Sequence, residues 1–401
     1  MSSYCQWLLF IVLLTVQTNG QGWKNQLYSN VTNVDIVSAT WSSPTTSVVV
    51  GYSGLSGLMM RTTNAGSTWS TVYSGATAMM DIAATFSPDL AAATPCFVAV
   101  GYSYVGSNFA GIIYVSMDNG RTFTIANSIG NTKLQGVTIG KNGNAYAVGI
   151  STLNPALGKV YLSSRSLSPS YASWTDVSPP SKRVQLMAVS TSDGVHVVAV
   201  GYGGAVFYSR NNGTTWNTGS SSVSVVLQCV AAGNASVAMA AGDSTTLLRT
   251  LNGGANWTLL ASATATSAFS SDIQAMLPAV GSFRFHAISM VGPSIAYAAL
   301  SSTSGSSGLI IRTIDGGRSW QLQYTAPTST QSIYTIAMMN SFVGVAGFSK
   351  PASGVQLAIK SMGKRQSKGT LTEVVHHSRR LSTYLPLFGN GLYPQLLLLQ
   401  R

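Results

Sequence analysis

A short phrase recurs along this chain, and its period confines the chain to a repeat architecture. It reads RTIDGGRSW at Arg312–Trp320, RTTNAGSTW at Arg61–Trp69, SMDNGRTF at Ser116–Phe123, SRNNGTTW at Ser209–Trp216 and RTLNGGANW at Arg249–Trp257. Each part has a mechanical role in a β-hairpin. The side-chain oxygen of Asn64, Asp118, Asn211, Asn252 or Asp315 can accept from backbone N–H groups a few residues on. Two residues later, Gly66, Gly120, Gly213, Gly254 or Gly317 supplies the positive φ that such a turn needs. An aromatic residue (Trp69, Phe123, Trp216, Trp257, Trp320) then opens the returning strand with a large ring to bury.

The residues before each phrase repeat as well. Leu186–Trp216 and Leu227–Trp257 align without a gap over 31 residues as apolar strand, turn, strand ending in Gly, and third strand. Earlier units carry insertions, and one degenerate unit keeps Trp174 but lacks the turn Asp and Gly. The closing aromatics fall at residues 69, 123, 174, 216, 257 and 320, a spacing that suits four short strands per unit. Ser332–Met362 holds three strands of a seventh unit and stops where its turn should begin. The missing strand is available in Gly22–Ser29, with Trp23 placed as the closing aromatic. The expected fold is all-β: a seven-bladed β-propeller of four-stranded blades, in which an N-terminal strand completes the last blade and leaves no open edge.

The T-x-D/N-x-G-x-x-W turn resembles the Asp-box of sialidases, sortilin-type receptors, some xyloglucanases and photosystem II stability/assembly factors. All of these are β-propellers. Taken with the G-x-x-G turns, AVGYGGAVFYSRNNGTTW and LLRTLNGGANW are most similar to the photosystem II stability/assembly factor family, over roughly residues 22–362. That resemblance implies a non-catalytic propeller that binds membrane-protein assembly intermediates from the lumenal side. The chain differs in its lost third box and in having no visible plastid transit peptide.

Residues 1–20 carry an apolar stretch, LLFIVLLTV, of signal-peptide length, with a cut expected before Gln21. The expected destination is extracellular, or alternatively an organelle lumen. Sequons at Asn30, Asn212, Asn234 and Asn256 fit glycosylation in such a compartment. Cys5 leaves with the signal, and Cys96 and Cys229, on different blades, are expected as buried free thiols. The propeller spans 21–362, and 363–401 reads as a basic, disordered tail.

Composition removes several functions. The formal charge of +12 is divided evenly: residues 360–401 contribute +6 and residues 1–359 contribute +6. Basic residues in the propeller stand singly, without interleaved aromatics, so no nucleic-acid partner is expected. No cofactor, metal spacing or transmembrane segment is visible, and a monomer is expected. The only Glu is Glu373, in the tail, which excludes the Tyr–Glu nucleophile of a sialidase. Asp35 (VDIVSA) and Asp81 (MDIAAT) look like equivalent positions on the innermost strands of neighbouring blades, where two acids could lie close together near the central channel. They could serve as the two carboxylates of a glycoside hydrolase-type propeller, or cap strand starts or bond backbone around the channel. Arg61, Arg249 and Arg312 recur just before the turn and could form a basic rim for an acidic partner, or pair with neighbouring turn carbonyls. The preferred expectation is a non-catalytic scaffold that binds a protein or glycan. The hydrolase using Asp35 and Asp81 is the alternative.

Overall fold

A computed structural model describes residues 22–28, 33–85, 94–106, 108–153, 157–164, 170–179, 184–280, 282–303, 308–327, 331–349 and 355–361. The expected signal sequence, the sequon at Asn30 and the tail with Glu373 lie outside them. By residue contacts the chain divides into units 1–362 and 363–401, and every described residue belongs to the first.

Seven four-stranded antiparallel sheets follow one another. Strand β1 (Trp23–Tyr28) precedes blade 1 (β2–β5, residues 35–75), blade 2 (β6–β9, 78–130) and blade 3 (β10–β13, 132–176). Blade 4 (β14–β17, 186–218), blade 5 (β18–β21, 227–261) and blade 6 (β22–β25, 283–325) come next. Blade 7 is β26–β28 (333–360) with β1 as its fourth strand, in the order β1-β28-β27-β26. Trp23 stands opposite Lys360, as Trp257 stands opposite Thr250 in blade 5, so the N-terminal strand closes the ring at the expected register.

The second strand of each blade explains the apolar runs. Val48–Val50, Val98–Val100 and Val197–Val200 are buried on both sides because a neighbouring blade covers each face. Strands enclosed in this way lose the polar/apolar alternation of a half-exposed strand. A segment between blades 5 and 6 adds the one α-helix of the described residues, α1 (Ser271–Val280), whose Ile273 packs with Phe269 against Trp320.

The repeated turns form as their chemistry requires. Thr62 Oγ1 donates to Asn64 Oδ1 (2.9 Å) and accepts from Gly66 N (3.0 Å), while Thr68 N donates to Asn64 Oδ1 (2.8 Å). In blade 6, Gly317 N donates to Thr313 Oγ1 (2.9 Å) and Ser319 N to Asp315 Oδ1 (2.9 Å). Burial raises the Asp315 pKa, but the Ser319 hydroxyl and amide and the Thr313 hydroxyl outweigh it and hold the carboxyl at about 2. Two of the closing Trp side chains add a bond back to the turn, Trp257 Nε1 to Gly254 O at 3.0 Å and Trp320 Nε1 to Gly317 O at 3.2 Å, whereas Trp69 and Trp216 bury Nε1 without one. The degenerate third unit keeps this bond. Trp174 Nε1 donates to Tyr171 O (2.8 Å), and Tyr171 takes the glycine's place at φ +54.

Gly254 lies at φ +97, and a Cβ there would come within 2.9 Å of Tyr208 Cβ. Gly254→Ala therefore combines a left-handed Ala with a clash across the blade 4/5 seam. It is expected to lower unfolding free energy by about 1–3 kcal/mol, read as a lower denaturant midpoint at unchanged m-value.

Candidate functional site

The innermost strand of every blade carries a one-residue register shift at the same level. The shifts fall between Ile36 and Ser38, Met79 and Asp81, Leu134 and Gly136, Leu186 and Ala188, Leu227 and Cys229, Phe285 and Ala287, and Ile333 and Thr335. A bulge places two residues opposite one and bends the strand. The extra residues (Val37, Met80, Gln135, Met187, Gln228, His286 and Tyr334) all line one axial channel of about 730 Å³.

The bulge corrects the expected equivalence of the two acids. Asp81 matches Ser38, as well as Gly136, Ala188, Cys229, Ala287 and Thr335, whereas Asp35 lies three residues earlier and matches Ala78. The shared Asp-Ile dipeptide misleads because a bulge moves the ladder without changing the local sequence.

Asp81 joins three blades. Its Oδ1 accepts from Ser38 Oγ of blade 1 (2.5 Å) and from its own neighbour Ile82 N (2.9 Å), and its Oδ2 accepts from Val137 N of blade 3 (2.7 Å). Inner strands are sheet edges, and their free N–H groups need partners. Elsewhere Ser190 Oγ serves Ala232 N (2.9 Å) and Ser289 Oγ serves Met338 N (3.0 Å) across their seams. Burial pushes the Asp81 carboxyl up to about 6, against the lowering effect of its three donors. Both oxygens thus already accept from protein donors.

At the end where the inner strands begin, residues from blades 1, 5, 6 and 7 converge on the channel mouth. Arg284 Nε contacts Asp243 Oδ1 (2.8 Å), which also accepts from Gln228 Nε2 (3.2 Å). The His286 and Tyr334 rings meet edge to face at 4.8 Å. Burial, and then the Arg284 charge, lower the His286 pKa to about 4, so this imidazole is neutral at pH 7. Asp35 and Tyr52 complete the mouth and stand opposite each other in blade 1.

Blade 2 rises above its neighbours at this mouth. Its β7 (Phe97–Val105) and β8 (Asn108–Ser116) are nine residues each, and Tyr104 packs on Phe109 at 4.2 Å between ring centroids. Lys133 of blade 3 sets its ammonium 3.7 Å from the Phe109 centroid and 5.1 Å from that of Tyr102, a double cation–π contact. A second cavity of about 480 Å³ adjoins them, lined by Asn108, Asn131, Thr152, Leu153 and Gln185 among others. Tyr104, Val105, Leu153 and Tyr202 are 51%, 60%, 78% and 46% exposed, four large apolar or aromatic side chains on adjacent blades of one face. Sequence reasoning missed this patch. Of its members only Tyr202 carried a signal, in the strand-ending VGY that also occurs at Tyr52 and Tyr102.

The repeated turns lie at the opposite face, because third strands run away from the mouth. Arg61 Nε donates to Asn119 O of the next blade's turn (2.7 Å), and Arg249 lies against Gly316 of blade 6. Arg312 faces blade 7, which has no such turn; it stacks at 5.6 Å on Tyr297, its cross-strand partner in blade 6, whose ring also carries Lys360 of blade 7. The three arginines therefore sit at seams between blades. Asn212, Asn234 and Asn256 are exposed on this same face. Cys96 and Cys229 are buried thiols outside any disulfide, in blades 2 and 5. Among the described residues no cluster of His, Cys, Asp or Glu could hold a metal ion, and no helix is long and apolar enough to cross a membrane.

No protein-family model and no curated protein matches the chain. Solved structures do. YCF48 bound to D1 peptide superposes with a TM-score of 0.57 at 14% identity, covering 88% of this chain and 100% of that one. YCF48 from Cyanidioschyzon merolae gives 0.55 at 15%, covering 84% and 98%. The WD40 repeats of RRP9 give 0.54 at 11%, covering 83% and 98%. The chain shares their fold. The resemblance to photosystem II assembly factors read from the repeats holds at that level.

Proposed function

We propose that the propeller is a non-catalytic scaffold that takes a segment of a partner protein across the channel mouth and the blade 2–4 patch beside it. The observation that carries this reading is the patch itself: Tyr104, Val105, Leu153 and Tyr202 are exposed on one face, where Leu153, Phe109 and Lys133 line a cavity. Aromatic anchors beside a cation and neutral hydrogen-bonding groups are the composition of a protein-recognition surface. A similar propeller, YCF48, has been solved with a D1 peptide bound, which supports a peptide-sized ligand. The hydrolase alternative gains no support, since both Asp81 oxygens hold blade seams and Asp35 is not its repeat partner.

Selection of a random peptide-display library on the whole protein tests the reading. Peptides of micromolar affinity are expected, with binding lost in Tyr104→Ala and Leu153→Asp and kept in Leu251→Asp on the far face. No enrichment, or peptides that depend on Leu251, would refute it. A glycan ligand would instead show as retention on an oligosaccharide array that is sensitive to the same two variants.

A further inference from the structure

The face that bears the repeated turns is asymmetric in charge. Among the described residues it exposes Lys24, Arg121, Lys141, Arg210 and Arg318, against three carboxylates, Asp118, Asp193 and Asp315. Arg61, Arg249 and Arg312 are half-buried there and Lys360 is buried; Arg61 bonds a backbone carbonyl, Arg249 lies against the Gly316 backbone, and Arg312 and Lys360 lie on the Tyr297 ring, so their charge adds to this face. Among the described residues the mouth face has no such excess. There Lys159 pairs with Asp176 and Arg284 with Asp243, while Asp35 and Asp272 outnumber Lys133.

Large apolar side chains stand at the tips of the same basic face. Met117, Leu251 and Ile314 occupy one position of the repeated turn, between the hydroxyl residue and the Asp or Asn, and are 41%, 62% and 60% exposed. Phe342, at the tip of the first hairpin of blade 7, is 60% exposed. None of the four side chains is needed for its turn: the bonds run through the flanking hydroxyl and Asp or Asn side chains in the first three and through Asn340 Oδ1 at Phe342.

We propose that this face docks on anionic lipid bilayers, with Met117, Leu251, Ile314 and Phe342 entering the interfacial layer and the surrounding Lys and Arg side chains meeting the headgroups. The tips sit on separate blades (2, 5, 6 and 7), not in one contiguous patch. A protein partner calls for a compact apolar core, and single-stranded nucleic acid calls for aromatic platforms. A bilayer accepts dispersed insertion points and adds attraction for each cation.

Vesicle flotation of the full chain tests this. Binding is expected to phosphatidylcholine vesicles that contain about 30% phosphatidylserine, to be absent from pure phosphatidylcholine, and to weaken at about 1 M salt. Leu251→Asp with Ile314→Asp, and separately Arg121→Glu with Arg318→Glu, should each lower binding about tenfold or more. Ser56→Asp, on the mouth face, should leave it unchanged, and melting curves confirm that each variant is folded. Four results would overturn the proposal. One is equal affinity for both vesicle types; a second is sensitivity to Ser56→Asp. A third is RNA binding lost with the Arg pair but not with the apolar pair, which would make the face a nucleic-acid surface. The fourth is N-glycan occupancy at Asn212, Asn234 or Asn256 on protein from its native source, since glycans there hold the face off a bilayer.

Discussion

Deleting residues 22–28 leaves blade 7 with three strands and abolishes cooperative unfolding. The segment contributes six paired positions, Trp23↔Lys360 through Tyr28↔Val355. It also contributes the Trp23 side chain, 6% exposed and packed with Tyr324 at 6.4 Å. Without it, β28 becomes an exposed edge and Tyr297, Ala358 and Phe348 lose part of their cover. This pairing ties the first strand to the last blade, beside the core that Ile36 of blade 1 shares with Val345 and Leu357 of blade 7, so the loss falls on the closure of the ring. The deletion is expected to give a broad, non-two-state melt with near-UV dichroism reduced. Trp23→Ala alone should cost about 3–5 kcal/mol, the range for truncating a buried Trp. A sharp melt at an unchanged midpoint for the deletion would show that the other six blades hold the ring without closure.

Removing the Asp81 side chain has the second largest effect, and its pH dependence identifies the cause. Asp81→Ala strands the Val137 amide and the Ser38 hydroxyl at two blade seams, with an expected loss of about 3–5 kcal/mol. Asp81→Asn keeps acceptor oxygen at the seam and should cost much less. The sign for the native protein follows from the raised carboxyl pKa of about 6. A pKa higher in the folded than in the unfolded chain means that protonation favours the fold. The stabilising contribution is complete below the unfolded carboxyl pKa, near 4, and is lost as pH rises through about 6. Over that window the native protein should lose at most about 3 kcal/mol relative to Asp81→Asn. Urea midpoints of both proteins across pH 4 to 8 measure the difference. Parallel profiles would mean that Asp81 is ionised at its seams at no cost.

The turn chemistry was readable because it is local. Thr62, Asn64, Gly66 and Trp69 lie within eight consecutive residues, and each bond between them spans four residues or fewer. The seven-blade count was readable for a related reason: a repeat shows its period, and a unit short of one strand shows where the ring must close. Asp35 and Asp81 mark where reading failed. Their shared Asp-Ile suggested equivalence, but the bulge at Val37 and Met80 sets the ladder so that Asp81 matches Ser38. Bulges leave little trace in one strand, because they are defined by a partner strand.

The channel mouth was beyond reach for a different reason. Gln228, Asp243, Arg284, His286 and Tyr334 meet there from three blades, and Lys133 finds the Phe109 ring on the blade before its own. Contacts of that kind depend on how many blades close the ring and on the tilt of each sheet. By itself, the sequence determined the hairpin turns, the four-strand unit, the number of units and the strand that closes them, since period and turn chemistry are local properties. Tertiary structure alone decided which residues face the channel, which acids hold seams, and how charge and apolar tips divide between the two faces, because those depend on strand register and on neighbours distant in sequence.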